Sequence, residues 1–290
     1  TLCSVGSSWH ILYHCHACVM ETRRRILCYG DSNTAGFHDQ GKRFEPYGKM
    51  LATAMMEAKL PCEVIFCGLS GITIEEMLQK KNAERITDVV NNVGSGLQWI
   101  LDRDSEYDLV ILMAGSNDIA KLAQPEQVMR RVAELHDICH RLAIPTVAIV
   151  PPTVPREPYA TARWRLSQQM HSWANSTAGA ASCFDIFMLL PRSIDHWEED
   201  ELHLSPAGSK ELGSRLAKEV KELWGAVQIH AKAYAAVRHA GPSSSRQVTS
   251  PSVPTPLQLA SPKVPGCSQQ MSSPSARVLS RAPVLVRPMR

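Results

Sequence analysis

The sequence predicts an α/β protein with three layers, in which helices cover both faces of a five-stranded parallel sheet. Short apolar runs alternate five times with segments whose apolar residues recur at helical spacing. The run "LVILM", Leu109 to Met113, is too uniformly apolar to alternate, which is typical of a strand covered on both faces. These patterns favour one domain over residues 23–227.

The other four predicted strands are also short apolar runs. Glycine or proline closely follows three of them, and neither residue continues a strand readily. They are Ile26–Tyr29, Glu63–Phe66, Thr146–Val150 and a short segment near Ser182–Ile186. Because helical segments separate them, the strands are expected to run parallel, with each helix forming a crossover.

Capping signals support several of the predicted helices. Thr73 with Glu76 three residues later forms a capping-box pattern. Ser205-Pro206 is a capping residue followed by proline at the first helical position, which predicts the start of the last helix. The remaining predicted helices are Tyr47–Lys59, a stretch around Ile86–Leu101, Glu126–Leu142 and about Ala162–Ala174.

The two ends of the chain differ in composition from the predicted domain. The chain does not begin with methionine, and Met20 stands just before the first strand, so we expect residues 1–22 to be an extension outside the fold. From Gly241 onward the chain holds nine of its 19 prolines, many serines, and no acidic or aromatic residue. Such a segment cannot bury enough surface to offset its ordering entropy, so we predict a disordered, basic Ser/Pro-rich tail over residues 228–290.

Composition also excludes several classes of partner. No run of about 18 apolar residues exists, so no membrane span is expected. The formal charge is +3, yet all 28 acidic residues lie at or before Glu222 while eight of the 31 basic residues follow it. The domain itself is therefore acidic, and no nucleic-acid partner is expected. Nine irregularly spaced cysteines do not form a disulfide framework, which favours a reducing, cytoplasmic compartment. The oligomeric state is left open.

Four polar segments are expected to meet at one edge of the sheet. "GDSN" (Gly30–Asn33), "CGLSG" (Cys67–Gly71) and "GSND" (Gly115–Asp118) follow the first three strands, and "DELH" (Asp200–His203) precedes the last helix. Ligands of parallel α/β sheets bind beyond the carboxyl ends of the strands. These segments therefore predict a site at that edge.

The residue types in these segments are those that acyl transfer requires. Ser32 supplies a nucleophile, His203 a base that takes its proton, and Asp200 a carboxylate that orients the base. Three groups are candidate donors to a developing oxyanion: the backbone N–H of Ser32, the backbone N–H of Gly68 and the side-chain amide of Asn117. Asp200 lies three residues before His203, a spacing that one helical turn would bring together.

Taken together, the four segments resemble the four sequence blocks of the SGNH/GDSL hydrolase family, in the family's order. "RILCYGDSNT" and "GLSG" are most similar to the intracellular arylesterase-type members. The resemblance covers about residues 24–224 and implies a flavodoxin-like sheet, ester hydrolysis through Ser32, Gly68, Asn117, His203 and Asp200, a small-molecule ester substrate and no metal or other cofactor. Ile72 and a single Thr73 depart from the polar residue and paired threonines common in the family, which bears on substrate polarity.

Other interpretations of the same residues remain open. A thioesterase or an acyltransferase would use the same five residues, and a non-catalytic acyl or carbohydrate binder could retain them. Two further patterns are treated as coincidence. "DICH", Asp137 to His140, repeats the Asp-His spacing inside an amphipathic helix, and the His14–Cys18 cluster lacks a second pair of metal ligands.

Overall fold

The computed structural model describes residues 24–104, 107–193 and 195–239, except for the side chains of residue 226 and residues 228–239. The predicted N-terminal extension, the His14–Cys18 cluster and the Ser/Pro-rich segment from Gly241 onward lie outside the described residues. Within the described part of the chain, no helix is both long and apolar enough to cross a membrane.

In these ranges the chain forms nine strands, nine α-helices and one short 3-10 helix at Asp39–Gly41. The strands are β1 (Arg24–Gly30), β2 (Phe37–His38), β3 (Arg43–Phe44), β4 (Cys62–Gly68), β5 (Ile86–Thr87), β6 (Val93–Gly94), β7 (Leu109–Met113), β8 (Thr146–Val150) and β9 (Ala180–Asp185). The helices are α1 (Ser32–Ala35), α2 (Tyr47–Glu57), α3 (Ile74–Gln79), α4 (Leu97–Arg103), α5 (Ser116–Ala120), α6 (Pro125–Arg141), α7 (Tyr159–Ser176), α8 (Ile186–Leu189) and α9 (Pro206–His239).

Five of these strands form one parallel sheet in the order β4-β1-β7-β8-β9. Numbered along the chain, this order is 2-1-3-4-5, the flavodoxin-like arrangement. From β1 the chain first adds β4 on one side and then β7, β8 and β9 on the other side. This change of side places a topological switch point at the carboxyl ends of β1 and β7. Open α/β sheets bind ligands at such points.

The three predicted layers are present: helices cover both faces of the sheet, and one apolar core lies between the sheet and the helices on each face. Leu27 and Tyr29 of β1 pack into the core shared with α3, α4, α6 and α7, whereas Ile26 and Cys28 face the core shared with α2, α8 and α9. All four side chains are fully buried. Alternate side chains of β1 thus enter opposite cores, and because both faces of the strand are buried, its sequence is apolar throughout and does not alternate with polar residues.

The predicted strands agree closely with the structure. β7 and β8 have the predicted bounds, because the first and last residues of a uniformly apolar run can be identified directly in the sequence. β1 begins earlier, since Arg25 finds partners at the rim of the sheet. Its guanidinium donates to Glu63, 3.2 Å away, and lies 4.7 Å from the ring centroid of Tyr107.

The helix predicted around Ile86–Leu101 is wrong over most of its length. The chain forms the short antiparallel pair β5–β6 there, and α4 begins only after Gly96. The cause is Asp88, whose carboxylate accepts hydrogen bonds from the backbone N–H groups of Ser70, Val90 and Asn92 at 2.8–3.0 Å. This local competition for backbone donors favours a turn over a helix.

The capping signals are confirmed. Thr73 and Glu76 form a reciprocal capping box at the start of α3, and Ser205 Oγ accepts a hydrogen bond from Gly208 N–H at the start of α9. Helix α9 continues to His239, beyond the predicted end of the domain at residue 227. The division of the chain at that residue stays a prediction.

Candidate active site

The switch point carries a hydrogen-bonded relay of three side chains. Ser32 Oγ lies 2.9 Å from His203 Nε2, and His203 Nδ1 lies 2.6 Å from Asp200 Oδ2. Ser32 is 5% exposed and the His203 side chain 14% exposed, whereas the Asp200 side chain is half-exposed. Three residues distant in sequence or separated by a turn thus meet with the geometry of a nucleophile, its base and an orienting carboxylate.

The first turn of α1 presents Ser32. Strand β1 ends at Gly30, where a Cβ atom would lie 2.0 Å from the carbonyl oxygen of Met113 in β7. Asp31 then caps α1 by accepting a hydrogen bond from the Asn33 N–H. Glycine therefore allows β1 and β7 to converge beneath Ser32, and the cap turns the chain so that Ser32 begins the helix.

The Asp200–His203 contact forms without the helical turn that the spacing suggested. Residues 199–203 form a turn and a bend, and Glu201 has a left-handed backbone with φ 58°. Asp200 Oδ1 accepts hydrogen bonds from the N–H groups of Leu202 and His203, both at 2.9 Å. The predicted contact is present, but the carboxylate holds the turn by binding its backbone directly.

Two further residues fix the position of His203 and were missed by the sequence analysis. Asn33 Oδ1 accepts a hydrogen bond from Leu204 N–H at 3.2 Å, which joins α1 to the loop that carries His203. The Phe37 ring lies 4.4 Å from the His203 ring, centroid to centroid. Asn33 could have been found from the sequence, because it directly follows Ser32 in the "GDSN" segment. Nothing in the sequence pointed to Phe37.

The electrostatics keep the orienting carboxylate ionised. Burial by itself would raise the pKa of Asp200, but the hydrogen bonds from the His203 ring and from two backbone N–H groups outweigh it and lower the pKa to about 2. An ionised Asp200 can accept a hydrogen bond from His203 Nδ1–H, and with the proton on Nδ1 the lone pair of Nε2 faces the Ser32 hydroxyl.

A second carboxyl group lies beside the nucleophile. Asp31 is fully buried, and burial raises its pKa to about 6, against the opposing effects of the Asn33 N–H, Ser116 and His203. Its role in the geometry is to cap α1. No role for Asp31 was predicted from the sequence.

Gly68 is the last residue of β4, and Asn117 lies in α5, the helix that follows β7, at the same edge of the sheet. Gly68 pairs with Gly30 in register, and a Cβ atom on it would lie 2.0 Å from the backbone nitrogen of Ala35 in α1. The Asn117 side chain donates from Nδ2 to the carbonyl oxygen of Ile72 at 3.1 Å. Glycine at 68 thus permits the close packing of α1, and one of the two Asn117 amide protons is engaged with the loop after β4.

The family model of GDSL-like lipase/acylhydrolases matches residues 28–210, more than half of the chain, and this stretch contains Ser32 and His203. The chain belongs to this family. It is accordingly a carboxylic ester hydrolase of the SGNH/GDSL type. No significant sequence match was found among curated proteins.

Solved structures of GDSL-type and related esterases share the fold. A carbohydrate acetylesterase family member from Sinorhizobium meliloti is 19% identical, with a TM-score of 0.54 over 70% of this chain and 99% of its own. A lipase/acylhydrolase from Enterococcus faecalis is 20% identical, with a TM-score of 0.52 over 69% and 96%. A Clostridium thermocellum family 3 carbohydrate esterase is 18% identical, with a TM-score of 0.54 over 71% and 99%. At these identities the likeness concerns the fold.

A cavity of about 520 Å³ flanks the site of this GDSL-family chain along the edge strand β4. Among the predicted site residues in the described part of the chain, Gly68 alone lines it, together with Ala35 at the end of α1. Phe44 and Phe66 supply aromatic walls, and Lys49 lies at the same cavity. The cavity therefore begins beside Gly68, the candidate oxyanion donor, next to α1.

The pattern treated as coincidence stays apart from this site. Asp137 is exposed and pairs with Arg141, whereas His140 Nε2 contacts Thr146 Oγ1 at 2.9 Å. Among the described residues, no three His, Cys, Asp or Glu side chains converge as a metal site would require.

Proposed function

We propose that this chain is a serine esterase that hydrolyses carboxylic esters of small or medium acyl groups through an acyl-enzyme. The observation that supports this most directly is the relay from Ser32 through His203 to Asp200, with contacts of 2.9 and 2.6 Å. Both lie within the hydrogen-bond distances that proton transfer needs.

In the first half-reaction, His203 Nε2 takes the Ser32 hydroxyl proton as Ser32 Oγ attacks the ester carbonyl carbon. The carbonyl π electrons move to oxygen, and the resulting anion is bound by the Ser32 N–H, the Gly68 N–H and the Asn117 amide proton not given to Ile72. Collapse of this intermediate breaks the bond to the alcohol, which leaves with the proton from His203.

In the second half-reaction, His203 deprotonates a water molecule that attacks the acyl carbon. The same donors bind the second tetrahedral anion, and its collapse returns the proton to Ser32 Oγ and releases the acid. The ionised Asp200 stabilises the imidazolium that forms twice in the cycle. A thioester would pass through the same steps with a thiol as the leaving group.

We also propose a reducing, cytoplasmic setting. The cysteines in the described part of the chain are free thiols: Cys28, Cys62, Cys67, Cys139 and Cys183. Burial raises the pKa of all five, so none of them is poised as a thiolate nucleophile beside Ser32.

Covalent labelling combined with turnover tests the proposal. The wild-type chain should react with a fluorophosphonate at Ser32 and hydrolyse p-nitrophenyl acetate, and both properties should be lost in Ser32→Ala. Asn117→Ala should keep a labelled serine but lose on the order of 10²-fold in kcat, because an oxyanion donor acts on the transition state. Labelling at another residue, or wild-type turnover in Asn117→Ala, would contradict the assignment. Parallel assays with acyl thioesters and with competing alcohol acceptors separate an esterase from a thioesterase or an acyltransferase.

A further inference from the structure

The turn that carries Asp200 and His203 depends on an unfavourable backbone conformation. Glu201 lies between the two residues of the relay and has φ 58°, in the left-handed region that favours glycine. A glutamate there strains the backbone unless neighbouring contacts hold it. If the turn relaxed, Asp200 would move relative to the His203 ring.

Arg192 supplies such a contact. Its Nη1 donates a hydrogen bond to the carbonyl oxygen of Glu201 at 2.8 Å. Its Nη2 donates to the carbonyl oxygen of Thr153, which is buried in the loop after β8. One guanidinium therefore joins the strained residue of the catalytic turn to a buried part of the sheet's carboxyl edge.

The guanidinium is itself held in place by aromatic rings. It lies 4.3 Å from the ring centroid of Phe187 in α8 and 5.3 Å from that of Trp197. Trp197 is buried and forms a bridge with Leu204, the residue after His203. Stacking of this kind favours arginine, because a planar guanidinium can pack on a ring while its N–H groups point to fixed acceptors.

We propose that Arg192 is a positioning residue for the catalytic relay: it acts through the Glu201 backbone to hold Asp200 against His203. The inference rests on the proposed esterase function for its kinetic consequences, although the hydrogen bond between Asp200 and His203 can be measured without substrate. Lysine could not replace arginine fully, since one ammonium group cannot reproduce the planar fork that reaches both carbonyls.

The chain offers a matched control in Arg215. This arginine also donates from Nη1 to a backbone carbonyl at 2.8 Å, that of Leu189, and also pairs with a neighbour, Glu211. It lies on α9 and contacts neither the catalytic turn nor the loop after β8 in any hydrogen bond of the described residues. Arg215→Ala thus reports the general cost of losing such an arginine.

The experiment compares Arg192→Ala, Arg192→Lys and Arg215→Ala in the full chain. Arg192→Ala should lower kcat for p-nitrophenyl acetate about 10-fold or more with little change in KM, because misplacing a relay by a fraction of an ångström affects the transition state rather than binding. Arg192→Lys should lie between Arg192→Ala and wild type, and Arg215→Ala should stay within about 2-fold of wild type. The downfield ¹H NMR signal of His203 Nδ1–H, assigned with His203→Gln, should exchange faster in Arg192→Ala than in Arg215→Ala.

A second substitution separates positioning from folding. Glycine adopts positive φ without support, so the fold-loss of kcat caused by Arg192→Ala should be smaller when it is introduced into Glu201→Gly than when it is introduced into the wild-type chain. The proposal is overturned if Arg192→Ala keeps the wild-type Nδ1–H exchange rate, if its kcat falls no more than that of Arg215→Ala, or if its fold-loss of kcat is the same in Glu201→Gly as in the wild-type chain. If Arg192→Ala does not fold, the same comparisons in Arg192→Lys decide. If the wild-type chain hydrolyses no ester, the proposed function fails, and the NMR comparison alone decides the role of Arg192.

Discussion

Replacing Asp200 by asparagine should inactivate the relay more severely than removing the side chain altogether. Asp200 Oδ1 accepts two backbone N–H groups at 2.9 Å, and Oδ2 faces His203 Nδ1 at 2.6 Å. In Asp200→Asn the amide oxygen should keep the two N–H donors, which need an acceptor. The amide nitrogen would then face Nδ1 and donate to it, so that the remaining imidazole proton lies on Nε2 and blocks proton uptake from Ser32.

The electrostatic part of the effect follows from the carboxyl pKa. Hydrogen bonds from His203 and the backbone, working against burial, lower the Asp200 pKa from 3.8 to about 2. At 1.36 kcal/mol per pH unit this corresponds to about 2.5 kcal/mol. Because the side chain is 48% exposed, solvent screening reduces this figure, and the two backbone N–H groups account for part of it, so the coupling to the His203 ring is about 1 kcal/mol, or about 5-fold in rate. Asp200→Ala loses this coupling and some orientation of the ring, so we expect a loss of about 10- to 100-fold in kcat.

The assay is kcat for p-nitrophenyl acetate, measured for all variants at one fixed pH. Asp200→Asn should be at least about 10-fold slower than Asp200→Ala, because only the asparagine imposes the wrong tautomer. Asp137→Asn serves as the control, since Asp137 also lies three residues before a histidine but pairs with Arg141 on the surface. Equal rates for the two Asp200 variants, or a faster Asp200→Asn, would refute the tautomer argument.

Two further predictions concern packing and pH. Gly68→Ala should destabilise the fold by about 1–3 kcal/mol or more and lower kcat, because the new Cβ would lie 2.0 Å from the Ala35 backbone nitrogen. At Gly225 a new Cβ would meet no described atom of another element within 4 Å, so Gly225→Ala should have neither effect, and equal urea midpoints for the two variants would contradict this. Burial, and then His140, lower the pKa of His136 to about 3, and its Nδ1 lies 2.7 Å from Thr146 Oγ1. Because the unfolded chain binds a proton near pH 6.5 and the folded His136 does not, the free energy of unfolding should fall as the pH drops below about 6.5. The fall due to this group should be about 2 kcal/mol between pH 7 and pH 5, and His136→Gln should remove it. Identical pH slopes for His136→Gln and wild type would count against the buried neutral histidine.

Much of the fold could be predicted because its signals are local. The apolar runs of β7 and β8, the capping box at Thr73 and Glu76, and the Ser205-Pro206 helix start each lie within a few residues, so their physical causes can be identified in the sequence itself. The segment Ile86–Leu101 failed because Asp88 competes for backbone donors, including the N–H of Ser70 in a distant loop. A helical pattern of apolar residues does not report such a competitor.

The sequence by itself determined the order of the five sheet strands along the chain, and it placed Ser32, Gly68, Asn117, Asp200 and His203 at one edge of a parallel sheet, because strand direction fixes where each loop must lie. Only the tertiary structure decided that Glu201 turns through a left-handed conformation, that Asn33 holds Leu204, and that Arg192 joins Thr153 to Glu201. Arg192 makes its two contacts with backbone carbonyls, those of Thr153 and Glu201, and Asn33 makes its contact with the backbone N–H of Leu204. Nearly every residue carries both groups, so contacts of this kind leave no residue-type pattern in the sequence, and only the folded chain selects which of them meet.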